Sequence, residues 1–273
     1  MDRASQEQVI EKYSSHLMKL TERIPGYFKE KDLHDWRVEY KKLRAFLRMI
    51  TASVNGHMPI ITAELKKIYR VTGTIRELYL FIAQLNTLPD VNREILPVYY
   101  TILEKKLFAA KEEFIKRTDI FHFDKEIDRW KVMPPEYLET EQVKYFVQRN
   151  ITGIRLILMV PEADENLHTL RKHLKDINYN SKTFTSVWGI PFPVTAWKNE
   201  KLLIEMAEEL GEFNDRCISL LYVEDLYTDS IPLNEKKIVK ELQYNFLSAK
   251  SIHQKNIIDS LKNFSFFASV NEI

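Results

Sequence analysis

Residues 34–48 read HDWRVEYKKLRAFLR. On a helix turning about 100° per residue, His34, Arg37, Lys41, Arg44 and Arg48 fall within roughly 80° of one another. Leu33, Trp36, Tyr40, Leu43 and Leu47 form an apolar stripe beside that basic row. Residues 168–179, HTLRKHLKDINY, repeat the pattern: His168, Arg171 and Lys175 keep the His-x-x-Arg-x-x-x-Lys spacing at an offset of 134 residues. Leu167, Leu170 and Leu174 hold the places of Leu33, Trp36 and Tyr40. A second pair follows one helix downstream in each half, Gly73-Thr-Ile-Arg-Glu and Gly211-Glu-Phe-Asn-Asp, offset by 138. Self-similarity at half length, with elements in the same order, predicts a duplicated helical unit whose two His/Arg helices face one another across an approximate two-fold axis.

Composition agrees with an all-α fold. Gly (6) and Pro (10) together make 16 of 273 residues, about half the usual share of roughly 12%, which leaves little room for the turns of a β-rich fold. Helical periodicity, broken at Gly and Pro, predicts helices over 4–23, 32–52, 58–86 and 93–117, with Pro25-Gly26 ending the first. Residues 118–139, with Pro134-Pro135, read as a connector, and further helices follow over 140–160, 163–179, 199–226 and 234–264. The stretch 180–198, with Gly189, Pro191 and Pro193, reads as a loop. Four helices, a linker and four more predict two four-helix bundles, over 1–130 and 138–273, in one domain spanning 1–273.

Forty Lys+Arg against 39 Asp+Glu give a net charge of +1, which excludes binding of a polyanion by overall charge. The charges are sorted along the chain, however. Residues 31–48 hold six Lys/Arg against three acids, and 168–175 three against none, whereas 205–229 carry eight acids and one Arg. A Lys/Arg row at helical spacing is ordinarily a solvated face. The His that heads both rows and the local surplus of cations point instead to a site. Cys217 is the single cysteine, so no intramolecular disulfide forms, and it reads as a small core residue. No apolar run approaches the ~20 residues that span a bilayer. The expectation is a soluble cytoplasmic protein without membrane partners.

These segments, with TGTIREL and LGEFNDR, resemble the conserved histidine α-helical domain (CHAD) family over nearly the whole chain. The resemblance implies two pseudo-symmetric four-helix bundles around a basic central cavity. It also implies non-catalytic binding of inorganic polyphosphate, with no cofactor and no metal, and association with polyphosphate granules. By motif position it implies that His34, Arg37, Lys41, Lys42, Arg44, Arg48, His168, Arg171, Lys172 and Lys175 face the ligand, with Lys67, Arg70 and Arg76 in support. Sulfate or phosphate could stand in for the ligand. The chain departs from the family at Glu77, where Asp is usual, and at Asp176-Ile-Asn178-Tyr179, where more cations are usual. Chain-length preference and oligomeric state are not written in these motifs.

Such a ligand suits these residues. A phosphate chain offers charge and no base edges, so affinity comes from neutralisation and counterion release. Arg supplies bidentate hydrogen bonds and Lys mobile point charge. The histidines either touch phosphate, which would raise their pKa and strengthen binding at lower pH, or bond a neighbouring bundle as structural groups. Other readings are another polyanion, such as nucleic acid or an inositol polyphosphate, and a phosphate-processing enzyme. Neither a Walker loop nor aromatics interleaved for base stacking are present. A di-metal carboxylate bundle needs two Glu-x-x-His motifs, and Glu165 to His168 is the single instance.

Overall fold

The computed structural model describes residues 1–52, 61–89, 91–193, 200–225 and 231–262. Among them the chain is all-helical: α1 (Arg3–Tyr27), α2 (Glu30–Ile50), α3 (Ala63–Asn86), α4 (Pro97–Asp119), α5 (Phe123–Lys131), α6 (Thr140–Leu158), α7 (Asp164–Val187), α8 (Glu200–Asp225) and α9 (Leu233–Lys262). A lone backbone bridge joins Asp2 to Tyr137. The expected helix edges at 58–60, 199, 226 and 263–264, and loop residues 194–198, lie outside the described residues.

Three expectations change. α1 runs through Pro25 and ends at Phe28, whose φ of 47° and N–H bond to the Ile24 carbonyl close the helix in the left-handed region. Pro25 lacks only the one N–H that would have bonded back, and in the last turn the helix tolerates that loss. The connector contains α5, whose Phe123, Glu126 and Trp130 are buried, and which packs against α1. α7 continues through the expected loop as far as Val187. Its polar residues there are buried with partners: Asn180 Nδ2 donates to the carbonyls of Ala45 (3.1 Å) and Asp176 (2.9 Å), and the Thr183 hydroxyl meets Tyr13 Oη at 2.7 Å.

Each helix packs on its neighbour in sequence within the sets α1–α4 and α6–α9, and α2 lies against α7 and α3 against α8 between the sets. The apolar stripe expected beside the basic row of α2 is buried, with Leu33, Trp36, Tyr40, Leu43 and Leu47 at most 2% exposed. Trp36 Nε1 donates to the Thr21 hydroxyl at 2.8 Å, so its one polar atom is satisfied inside the core. The core does not divide at the midpoint of the chain. One cluster joins α1, α2 and α7 to Leu65, Ile68 and Ile75 of α3 and to Ile257 and Leu261 of α9. A second joins Leu78, Phe81 and Leu85 of α3 to Tyr99 and Leu103 of α4, Val223 of α8 and Val239 of α9. With α2 and α7 in direct contact, their basic rows are held side by side.

Candidate anion-binding cavity

Where α2 and α7 meet α3 and α8, a cavity of about 290 Å³ is lined by Arg37, Lys41 and Arg44 of α2 and by Arg76 of α3. His168, Arg171, Lys172 and Lys175 of α7 complete its basic side. The two sets come from the two repeats, so the duplication seen in the sequence becomes two basic rows around one space. Among the described residues, none of these eight side chains has a carboxylate oxygen within 4.0 Å. Nε of Arg44, of Arg76 and of Arg171 is buried without a hydrogen-bond partner. Buried polar groups are nearly always paired, so three unpaired guanidinium nitrogens around one cavity mark a place for an acceptor.

The glycines of the second motif explain why the guanidiniums can reach the cavity. A Cβ on Gly73 would lie 2.5 Å from Arg37 Nη1, and a Cβ on Gly211 would lie 3.3 Å from Nε and Nη2 of Arg171. In each repeat, then, the arginine of the basic row lies flat over the bare backbone of the next helix. Arg37 is fixed further by donating from Nη1 to the Tyr69 carbonyl at 2.8 Å, and its Cζ sits 4.4 Å from the Tyr69 ring centre. Tyr40 stacks on the same ring at 4.3 Å. Arg37 and Tyr40 thus both lie against the Tyr69 ring.

Crowded like charges shift the titrating groups. Burial, followed by the nearby Arg37, Arg171, Arg76 and Arg44, pushes the Lys41 ammonium down to about 7. Lys175 is lowered by burial and then Arg171, and Lys172 by burial and then Arg44 and Arg48. His168 is lowered by burial and then Lys172. Asp176, paired with Arg48, lines the cavity, and so do two further acids, Glu77 and Asp215. They occupy equivalent places in the two glycine segments, and burial holds the Glu77 carboxyl above its ordinary value, with Asp215 adding to the rise against Arg37 and Arg76. That equivalence is visible in the sequence at the offset of 138, which could have identified both. Tyr69, four residues before Gly73 and so on its face of the helix, carried a weaker signal. Tyr179 and Asn214 also line the space.

Five residues of the expected ligand set do not line this cavity. Arg48 lies about 16 Å along α2 from Arg37, where its Nη1 meets Asp176 Oδ2 of α7 at 2.8 Å. Lys42, about 100° around the helix from Lys41, turns toward α1 and pairs with Glu39 at 2.6 Å. Lys67 pairs with Glu64 at 2.6 Å on the surface, and Arg70 is exposed. His34 opens into a groove between α1 and α2, and its pKa is lowered by partial burial of the ring and then Arg76. In each of the three ion pairs a local carboxylate has taken the cation. No group of three or more His, Cys, Asp or Glu suited to a metal occurs among the described residues, and no described helix is long and apolar enough to cross a membrane.

Comparison with known proteins accords with this architecture. The crystal structure of the CHAD domain from the plant Ricinus communis superposes with a TM-score of 0.71, covering 97% of this chain and 93% of that one at 14% identity, a likeness of fold. No curated protein matches the chain. The sequence pattern of the CHAD domain, however, matches residues 11–222. With that pattern running from the first helix to the last turns of the eighth, through both basic rows and both glycine seats, the chain belongs to the CHAD domain family.

Proposed function

We propose that the chain binds linear inorganic polyphosphate in the cavity between α2 and α7 and does not turn it over. The observation that carries this reading is the convergence of Arg37, Lys41, Arg44, Arg76, Arg171, Lys172 and Lys175 on one space with no carboxylate of the described residues at ion-pair distance. So many unpaired cations repel one another, and a polyanion is the partner that relieves them. Family membership supports the same chemistry. A nucleic acid fits less well, because the Tyr69 ring is already engaged by Arg37 and Tyr40 rather than left open as a platform for a base.

Titration of long-chain polyphosphate across a range of salt concentrations tests the reading. A steep log–log slope is expected, and Arg37→Glu together with Arg171→Glu should abolish binding while the helical content is kept. Equal-phosphate DNA or RNA should not displace the ligand, and no orthophosphate should be released on incubation. Loss of neither affinity nor slope in the double variant would refute the assignment of the cavity, and phosphate release would refute binding without turnover.

A further inference from the structure

A second cavity, of about 320 Å³, lies between α6, α7 and the C-terminal end of α2. Lys172 and Asp176 line both it and the central cavity, so the two spaces adjoin. The Arg48–Asp176 ion pair stands between them. Beyond the pair, Arg149 joins the lining, an exposed cation with no carboxylate within 4.0 Å among the described residues. Burial and then Arg44 and Arg48 lower Lys172, and burial and then Arg48, Arg149 and Lys172 lower His173, with Asp176 opposing in both. The basic track of the central cavity therefore continues past Arg44.

The internal duplication supplies a control for this pocket. Phe146, Arg149 and Asn150 of α6 keep the spacing of His16, Lys19 and Leu20 of α1, and those three line a groove on α2 at the equivalent place. On the partner helices, the offset of 134 sets Thr169 at the place of Asp35 and His173 at that of Glu39. In the first repeat Glu39 bonds His16 at 3.3 Å and Lys42 at 2.6 Å, so the acid of that groove is engaged by its own cations. In the second repeat both acids are gone, and Val38 is replaced by Lys172. The remaining acid, Asp176, is already held by Arg48. The two spaces related by the repeat thus differ in charge: the first carries Asp35 and Glu39, and the second has Thr169 and His173 there, with Asp176 at the place of Lys42.

We propose that the pocket formed by Arg149, Lys172 and Arg48 is a second phosphate subsite, which receives the end of a linear polyphosphate that has filled the central cavity and passed the Arg48–Asp176 pair. This rests on the polyphosphate reading above. A phosphate arriving there competes with Asp176 for Arg48 and gains Arg149 and Lys172, whereas a short chain held in the central cavity does not reach Arg149.

The test measures dissociation constants for tripolyphosphate and for long-chain polyphosphate with the full chain, with Arg149→Glu and with Lys19→Glu. Both positions are exposed, so both variants should fold, which circular dichroism checks. Arg149→Glu should weaken the long chain about tenfold and lower its salt slope by about one, and leave tripolyphosphate within about twofold. Lys19→Glu should leave both within about twofold. The proposal is overturned if Arg149→Glu weakens both lengths alike, if it weakens neither, or if Lys19→Glu matches it. If the unaltered chain binds neither polyphosphate, the underlying reading fails as well, and that outcome is distinct from the other three.

Discussion

Lys41 should make polyphosphate binding proton-linked. It faces Arg37 and Arg44 on its own helix, Arg76 on α3 and Arg171 on α7, and in the empty cavity burial and these neighbours push it down to about 7. From the ordinary 10.5, at about 1.4 kcal/mol for each pKa unit, holding that charge without a ligand is unfavourable by on the order of 5 kcal/mol. A bound phosphate chain reverses the balance and returns the pKa toward its ordinary range, so binding takes up a proton when Lys41 begins neutral. Between pH 6 and 8 the affinity for long chains should then fall about tenfold as pH rises. Calorimetry in two buffers of different ionisation heat should find an uptake of about one half proton per site at pH 7, approaching one at pH 8. His168, which lines the cavity and is lowered in the empty protein, adds to the effect at the acid end. The ligand-free protein shows the converse. Unfolded Lys41 binds its proton up to about 10.5 and folded Lys41 only up to about 7, so the unfolded state holds more protons in that window. This group's contribution to stability therefore rises with pH from about 7 to 10.5 and is least below 7. Lys41→Arg, which stays protonated, should flatten the affinity slope between pH 6 and 8. An unaltered protein with flat affinity over that range, or a Lys41→Arg variant with the same slope, would refute the reasoning.

Other outcomes follow from particular contacts. Gly73→Ala should displace Arg37 and weaken polyphosphate binding about tenfold, while urea denaturation shows stability within about 1 kcal/mol, because the gain in helix propensity offsets the loss of the Arg37 Nη1 bond to the Tyr69 carbonyl. Gly211→Ala, with its wider 3.3 Å approach, should weaken binding less, and a ranking in the opposite order would count against the seats. Gly153→Ala should instead destabilise by about 1–3 kcal/mol in the same assay. There the added Cβ meets the His173 ring at 2.7 Å, and Asn150 holds that ring by a 2.9 Å bond to Nδ1. Glu235→Ala should lower the unfolding free energy by about 1–2 kcal/mol, since its two carboxylate oxygens accept from the Val98 (3.1 Å) and Tyr99 (2.9 Å) N–H groups at the start of α4. An unchanged denaturation midpoint would show that water replaces them.

The helices were legible where apolar residues recur at helical spacing and fail to appear where other physics decides. α2 and α7 announced themselves through Trp36, Tyr40, Leu170 and Leu174 beside their basic rows. The last two turns of α7 did not, because Asn180, Ser181 and Thr183 are poor helix formers, and the bonds of Asn180 to Ala45 and of Thr183 to Tyr13 that hold them in the core come from residues distant in the chain. α5 is nine residues long and depends on burying Phe123 and Trp130, too brief for periodicity to register. Within the site, the spacing found Arg37, Lys41, Arg44, His168, Arg171 and Lys175 of the cavity but could not separate them from Arg48, while Lys42, Lys172 and Arg76 were expected from the family resemblance. Helical phase says which way a side chain points from its own axis. Whether Asp176 or Glu39 waits to receive it depends on how helices pack. The glycine pair was legible as a repeat, and its reason, a flat arginine, is tertiary.

The glycine seats also bear on how such a chain can change over generations. A glycine inside a helix forgoes up to about 1 kcal/mol relative to alanine, so Gly73 and Gly211 weaken α3 and α8 for the sake of the arginines lying over them. If Arg37 were lost, replacement of Gly73 by alanine would turn from a change that displaces a guanidinium into one that stabilises a helix. Once alanine stood there, arginine could not return to its old place, with a methyl group 2.5 Å from its Nη1. Loss of the cationic site is thus a ratchet with two ordered clicks, arginine first and glycine second. A chain that still carries both glycines under both arginines has taken neither.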